Sequence, residues 1–319
     1  MTENKGRIAT IGMFDGVHRG HRFLLSKLEE EAERRGMEPL IVTFSHHPMR
    51  VISPENDPAP LTHPDEKTAL LASSGRMTVV RLDFDESLRQ LKAADFMAML
   101  RDRYGVKAIL MGYDHHFGHD RLKKIEDYVK AGESIGIEVI AAPPLPGETR
   151  ISSSYIRRMI AEGKMEEATV ALGRPYSLEG IVEKGKQIGR TLGFPTANIR
   201  LTHDRRLLPA SGVYAVLVTL PQGIMKGGML NIGTRPTVDC SEKPKTTVEV
   251  NIFDFSGLIY GEKIMVDFIK RIRQEKKQTN IKELQRQLQK DKVAAEAILS
   301  ERHLLPNGCQ SDCCNRKQQ

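Results

Sequence analysis

Cysteine is scarce in this chain of 319 residues: there are four, and three of them crowd into the last eleven positions. Such a set builds no disulfide framework. No run of 18 or more apolar residues occurs, so no membrane-spanning helix is expected. The first residues also lack the apolar centre of a secretory leader. Zinc signatures are missing, both the spaced Cys/His set and the His-Glu-x-x-His helix. The Walker A spacing is missing too. Together these absences predict a cytoplasmic globular protein whose chemistry uses neither disulfides nor a dedicated zinc site.

What is present is ordinary in bulk, with 39% hydrophobic and 28% charged residues, and the length suffices for two domains with sizeable cores. The net charge of +7 invites a nucleic-acid reading, but it is local. Residues 270–292 hold nine Lys or Arg against three acids, which accounts for +6 and leaves the remainder near neutral. A local excess on an amphipathic helix more often marks a solvated face than a duplex-binding surface. RNA binding through this segment therefore stands as the alternative of a different class.

The most informative stretch is residues 12–21, GMFDGVHRGH, which follows the apolar run at 8–11 and precedes a helical pattern. Gly12, Gly16 and Gly20 imply a turn where the backbone bends tightly or approaches a ligand. A strand, a glycine turn and a helix N-terminus form an anion site, because unpaired backbone N–H groups and the helix dipole face the loop. His18 and His21 are placed to touch a nucleotide phosphate there.

Downstream, strands are expected at 40–44, 78–82, 106–111 and 137–140, with helices at 65–73, 96–104 (capped by Asp95) and 122–135. Strands alternating with helices at this spacing predict a parallel sheet covered on both faces, with ligands at the carboxyl ends of its strands. Seven of the ten histidines fall at those ends, including His46-His47 before Pro48 and the pair His115-His116. A last loop leads into Ser152-Ser153-Ser154, with Arg157 one turn further on. Serines before an apolar-periodic segment are N-cap chemistry. The same arrangement suits a triphosphate through hydroxyl, backbone N–H and guanidinium contacts.

Residues 14–21 (FDGVHRGH) paired with residues 151–157 (ISSSYIR) resemble the FAD synthetase module of bacterial bifunctional riboflavin kinase/FMN adenylyltransferases. The resemblance implies a His-x-Gly-His nucleotidyltransferase, in which the FMN phosphate attacks the α-phosphorus of ATP and pyrophosphate leaves. On that basis His18 and His21 contact the phosphates in flight. Gly12, Phe14, Asp15 and Gly16 belong to the ATP-binding turn, and Ser153, Ser154 and Arg157 hold the departing phosphates. His47, Pro48 and Asp114 match family positions in the nucleotide or flavin pocket. The chain departs from the family at Met13, usually asparagine, at Ser154, more often threonine, and at His115 and His116, where an aromatic and an arginine are frequent.

After 173 the style of the sequence changes to short strands separated by Gly/Pro turns, at 178–182, 212–220, 228–232, 247–253 and 264–268. This argues for an antiparallel barrel or sandwich. One helix follows, with Ile281, Leu284, Leu288, Ala295, Ile298 and Leu299 on its apolar side. The basic, glycine-rich loop 184–193 can wrap phosphates with backbone amides. Thr196 and Asn198, two apart in an extended segment, share a face and offer oxygens to Mg²⁺. Glu249 is either a base for an alcohol or an ordinary solvent-facing strand residue.

The motifs at 189–198 (GRTLGFPTAN), 212–215, 231–237 (NIGTRPT) and 248–255 (VEVNIFDF) resemble the riboflavin kinase module of the same family. The resemblance implies a six-stranded barrel in which Thr196 and Asn198 bind Mg²⁺-ATP. It also implies that the loop carrying Gly185, Gly189, Arg190 and Gly193 covers the phosphates and that Glu249 deprotonates the ribityl 5′-hydroxyl. The expected architecture is α/β: a doubly wound parallel-sheet nucleotidyltransferase domain at 1–173 and an antiparallel six-stranded β-barrel with a closing helix at 174–302. The tail at 303–319 is expected to be disordered. The expected function is phosphorylation of riboflavin to FMN and adenylylation of FMN to FAD, with small-molecule substrates and no nucleic acid or membrane partner. The alternative retains only the kinase, with an inactive N-terminal binding domain.

Overall fold

The computed structural model describes residues 6–112, 115–147, 151–185, 189, 192–203, 205–235, 245–276 and 280–301. The chain divides into two units, one of Met1–Arg157, Ala171–Gly173 and Arg205–Leu207, the other of Arg158–Val170, Arg174–Asp204 and Leu208–Gln319. Residues 158–170 thus group with the second unit, although the sequence style changes only after 173.

In the first unit, β1 (Arg7–Ile11), α1 (Arg19–Arg35), β2 (Glu38–Phe44), α2 (Met49–Ile52), α3 (Pro64–Leu71) and β3 (Thr78–Leu82) follow in order. Then come α4 (Glu86–Arg89), α5 (Ala93–Tyr104), β4 (Val106–Met111), α6 (Ile125–Glu133) and β5 (Glu138–Ala141). The strands make one parallel sheet in the order β3-β2-β1-β4-β5. Their side chains alternate between two cores. Ala9, Leu40, Val42 and Ile109 pack on one face with Phe96, Leu100 and Tyr128, while Ile8, Ile41 and Leu110 pack on the other with Leu25 and Leu28. Burial on both faces is why these strands read as continuous apolar runs rather than alternating ones. Strand order reverses direction between β1 and β4, so the crevice at their carboxyl ends is the position where such sheets bind ligands.

Two helix starts differ by three residues from the sequence expectation. Helix α5 starts at Ala93, not 96, because the Asp120 carboxylate accepts from the Ala93 N–H at 3.0 Å, leaving Asp95 inside the first turn. Helix α6 starts at Ile125, not 122, where the Leu122 carbonyl instead accepts from the Tyr128 hydroxyl at 3.2 Å.

The helices α7 (Ser153–Glu162) and α8 (Met165–Leu172) precede the barrel, which comprises β6 (Tyr176–Glu183), β7 (Ala197–Leu201), β8 (Gly212–Thr219), β9 (Met225–Arg235), β10 (Lys245–Ile252) and β11 (Lys263–Gln274). It closes in the order β10-β7-β6-β11-β8-β9 with antiparallel pairing throughout. Helix α9 (Ile281–Glu301) packs Ala295 and Leu299 against Leu217 and Met229 of the barrel wall. Contrary to expectation Ile281 is 70% exposed. The helix is instead locked midway by a buried charge, since Asp291 takes two bonds from the Arg273 guanidinium at 2.9 and 2.7 Å. Other cations of the basic segment are also spent within this unit, Lys270 on Glu166 at 3.2 Å and Arg271 on the Glu162 carbonyl at 3.3 Å. Among the described residues no helix is long and apolar enough to cross a membrane.

Candidate active sites

The turn after β1 is held in an unfavourable backbone conformation. Phe14 and Val17 adopt φ of +50° and +41°, a region that β-branched and bulky side chains avoid. Both are buried in the core beneath the turn, which offsets the strain. Gly16, at φ +80°, has no such option: a Cβ there would lie 2.9 Å from Leu61.

Asp15 organises the turn. Its carboxylate, 3% exposed, accepts from the Leu61 N–H at 3.0 Å, from the Thr62 N–H and hydroxyl at 3.1 Å, and from the Arg157 guanidinium at 2.6 Å. Arg157 donates also to the Ala59 carbonyl at 2.9 Å, and the Ser153 hydroxyl donates to the Asp15 carbonyl at 2.9 Å. The α7 N-terminus is therefore fastened to a turn about 140 residues earlier. The loop that supplies Leu61 and Thr62 is itself tied down by Arg205, 2.8 Å from Asp57, by Arg206 on Glu66, and by the Leu207 N–H on the Pro60 carbonyl at 3.4 Å. Replacing Asp15 with alanine strands the half-buried Arg157 cation and two buried N–H donors, a loss of about 3–5 kcal/mol for a buried pair broken on one side. A urea unfolding curve should record that loss.

His18 is the N-cap of α1. Its Nδ1 accepts from the His21 N–H at 3.3 Å, so in the neutral ring the proton sits on Nε2. The His21 ring stacks on it with centroids 3.5 Å apart and meets the Phe14 ring edge-on at 5.2 Å. Buried His21 Nδ1 has no hydrogen-bond partner among the described residues. Burial holds the His21 pKa well below its ordinary value, with His18, Lys67 and His115 adding repulsion, so the ring is neutral at physiological pH.

A cavity of about 230 Å³ lies over this turn, lined by Gly12, Phe14, Asp15, His21, His47, Ser153, Ser154 and Arg157, with Met13 and His115. Gly16 and His18 lie outside its lining. Ser152 caps α7 by accepting from the Tyr155 N–H at 3.2 Å, whereas Ser154 is exposed to the cavity. A second cavity of about 390 Å³ shares Ile11, Met13, His47 and His115 with the first, and is walled by Pro48, Phe44, Phe84 and Phe117, with Arg89 and Arg121. A small polar compartment thus opens into a larger aromatic one, the size and lining of a cofactor-scale site. His47 accepts from the Met49 N–H at 3.2 Å, and burial, reinforced by Arg157, lowers its pKa. Asp114 lies outside the described residues.

In the barrel unit, Thr196 precedes β7, Asn198 lies on it, and Glu249 on β10 is the register partner of Asn198 on one side and Asn231 on the other. The Thr196 hydroxyl donates to Glu249 Oε2 at 3.4 Å. Along β10 Val248, Val250 and Ile252 are buried, which puts Glu249 and Asn251 on the other face. Glu249 is half-buried rather than solvent-facing. Asn251, which sequence reasoning missed, donates to the Pro195 carbonyl at 2.7 Å and so pins the segment carrying Thr196. The backbone of Gly185 runs against the Asn198 amide so closely that any Cβ would collide with it. Gly189 closes a turn, its carbonyl accepting from the Leu192 and Phe194 N–H groups. Arg190 lies outside the described residues.

A cavity of about 390 Å³, with Val182, Thr196, Phe255 and Tyr260, adjoins one of about 590 Å³, with Gly193, Phe253, Asp254, Gln285 and Lys292; they meet at Pro195 and Phe255. Two adjoining cavities, one of them lined by Thr196, suit two substrates. The oxygens of Thr196, Asn198 and Glu249 form a donor set of the kind hard divalent cations take. Among the described residues there is no group of three or more His, Cys, Asp or Glu that could hold a metal.

Comparison with known proteins agrees with this geometry. An FAD synthetase family model matches residues 1–155 and a riboflavin kinase family model matches residues 172–299. The chain is 37% identical over 298 residues to the bifunctional riboflavin kinase/FMN adenylyltransferase of Pseudomonas fluorescens, covering 93% of this chain and 94% of that one. Proteins of the same description from Escherichia coli K12 and Bacillus subtilis are 36% and 34% identical, each with 92% of its length covered and with 91% and 92% of this chain. A solved structure from Streptococcus pneumoniae, described as a macrolide-efflux protein, shares the fold with a TM-score of 0.83 and 32% identity, covering 93% of this chain and 95% of that one.

Proposed function

Because the chain belongs to the bifunctional riboflavin kinase/FMN adenylyltransferase family, we propose that it phosphorylates riboflavin to FMN and adenylylates FMN to FAD, using ATP in both steps. The observation that carries this reading is the convergence of the turn at 12–21 and the α7 N-terminus on one cavity at the β1/β4 crevice, with a pair of adjoining cavities in the barrel unit, one of them lined by Thr196.

In the first unit an FMN phosphate oxygen attacks the α-phosphorus of ATP, and the bond to the bridging oxygen of pyrophosphate breaks. No covalent enzyme intermediate is needed. The protein supplies position and donors for charge developing on the phosphates. His21 faces that charge directly, Ser154 and the α7 amides receive the leaving pyrophosphate, and Asp15 with Ser153 aims Arg157 and α7. The aromatic compartment receives the flavin rings, with His47 and Pro48 on its wall. Asp114 and Arg190 join the flavin or nucleotide contacts and the kinase phosphate loop respectively, by family position.

In the barrel unit Glu249 accepts the proton of the ribityl 5′-hydroxyl as its oxygen attacks the γ-phosphorus of ATP, and ADP leaves. Gly185, Gly189 and Gly193 let the loop backbone approach the phosphates. Thr196 and Asn198 would hold Mg²⁺ with ATP, and the ion would neutralise charge on the phosphate oxygens. The machinery of adenylyl transfer falls within 1–173 and that of the kinase within 174–302, and we place both in the cytoplasm, where ATP is supplied.

Incubation with riboflavin, ATP and Mg²⁺ followed by chromatography of the flavins tests the reading. FMN appears first and FAD accumulates after it. FMN without FAD would leave only the kinase, and neither product would sink both assignments.

A further inference from the structure

Lys67 on α3 is 1% exposed. Its ammonium donates to the Phe44 carbonyl at 2.7 Å and to the Met13 carbonyl at 3.0 Å, and lies 4.0 Å from the Met13 sulfur. The Met13 carbonyl accepts a second bond, from the Thr43 hydroxyl at 3.1 Å. Phe44 ends β2 and Met13 follows β1, so one cation ties together two adjacent strand ends where the cavity opens. Among the described residues its bonded partners are these carbonyls and a thioether, not a carboxylate. Keeping a charge dry without a bonded counter-ion is costly, and an apolar side chain would fill the space more cheaply. Asp15 is the carboxylate that favours this charge, and it is already taken up by Leu61, Thr62 and Arg157, so the arrangement makes sense if further negative charge arrives with a ligand.

We infer that Lys67 is a positioning residue for adenylyl transfer, fixing the Met13-Phe14 turn, and through Phe14 the His21 ring, while holding a buried positive charge behind the cavity that receives the triphosphate. The inference rests on the adenylyl-transfer reading. Burial lowers the Lys67 pKa to about 8, with Asp15 opposing and Arg81 adding to the shift; His21, His46 and His47 also feel its charge. Below that value the ammonium is charged and above it the charge is lost. kcat/KM for ATP in FAD formation, which reports the free enzyme, should therefore fall above about pH 8.

The test measures FAD formation from FMN and ATP, and FMN formation from riboflavin, over pH 6.5–10 for wild type, Lys67→Met and Lys67→Arg. Lys67→Met is expected to lower kcat for FAD formation by about ten- to a hundredfold, as a slight misplacement of reacting groups does, and to lose the alkaline limb, with FMN formation unchanged. Lys67→Arg, which stays charged, moves that limb above pH 9. A Lys67→Met enzyme within about threefold of wild type, or an arginine variant whose alkaline limb does not move, would overturn the inference. Should Lys67→Met fail to fold, the arginine variant decides alone by the same criterion. Wild type that makes no FAD at any pH would instead overturn the functional reading.

Discussion

His21→Ala abolishes FAD formation while FMN formation from riboflavin continues at the wild-type rate. The expected loss in kcat is roughly a hundred- to a thousandfold, the effect of removing one pre-set donor from developing phosphoryl charge. The substitution is unusually clean because α1 keeps its cap: His18 Nδ1 accepts from the backbone N–H of residue 21, which alanine retains. What disappears is the imidazole stacked on His18 and edged against Phe14. His18→Ala would remove the cap as well, at a cost of about 1 kcal/mol, and so would mix stability with catalysis. Burial, with repulsion from His18, Lys67 and His115, holds His21 neutral. A bound polyphosphate reverses the sign of its surroundings and favours the protonated form, so His21 gains donor strength as the anion arrives. Loss of FMN formation alongside FAD in this variant would contradict two independent sites.

The two motifs that face each other across the first cavity were legible because each concentrates residues of little use in a core: glycine with histidine in one, serine with arginine in the other. Their division of labour was not. Asp15 and Arg157 look alike in sequence as polar site residues, yet Asp15 is saturated by protein donors and Arg157 is one of them. Nothing in the order of residues reveals that a turn at 61–62 will supply two N–H groups to position 15, because that pairing is made by the fold. Lys67 was invisible for the same reason, being an unremarkable lysine in an α3 that opens with the His63/Glu66 capping box. Beyond the extended segment at Thr196 and Asn198, strand β7 carries little signal, because Ala197–Leu201 buries chiefly Ile199 and follows a Pro-Thr turn signal. The expected apolar face of α9 holds at Leu284, Leu288, Ala295, Ile298 and Leu299, but the Asp291–Arg273 pair is not legible, since an ion pair with a strand cannot be seen from helical periodicity alone.

Glu249→Gln makes the opposite split: FMN no longer forms from riboflavin, while supplied FMN is still converted to FAD. General-base catalysis contributes about 10²–10⁴-fold, and the loss should fall in that range and in kcat rather than in KM. Glutamine keeps the shape of the side chain and an oxygen to accept from Thr196, so the segment pinned by Asn251 stays in place. The neighbours across the ladder, Asn198 and Asn231, are neutral amides. The split between the two kinetic constants also distinguishes two roles for this carboxylate. A base acting on the 5′-hydroxyl affects only the transition state, so kcat and kcat/KM fall together. A carboxylate that chiefly orients Thr196 toward bound ATP would raise KM for ATP and could be offset by more nucleotide. Recovery of FMN formation at saturating ATP would therefore move Glu249 from base to ligand-positioning residue, and leave the proton of the ribityl hydroxyl to another acceptor.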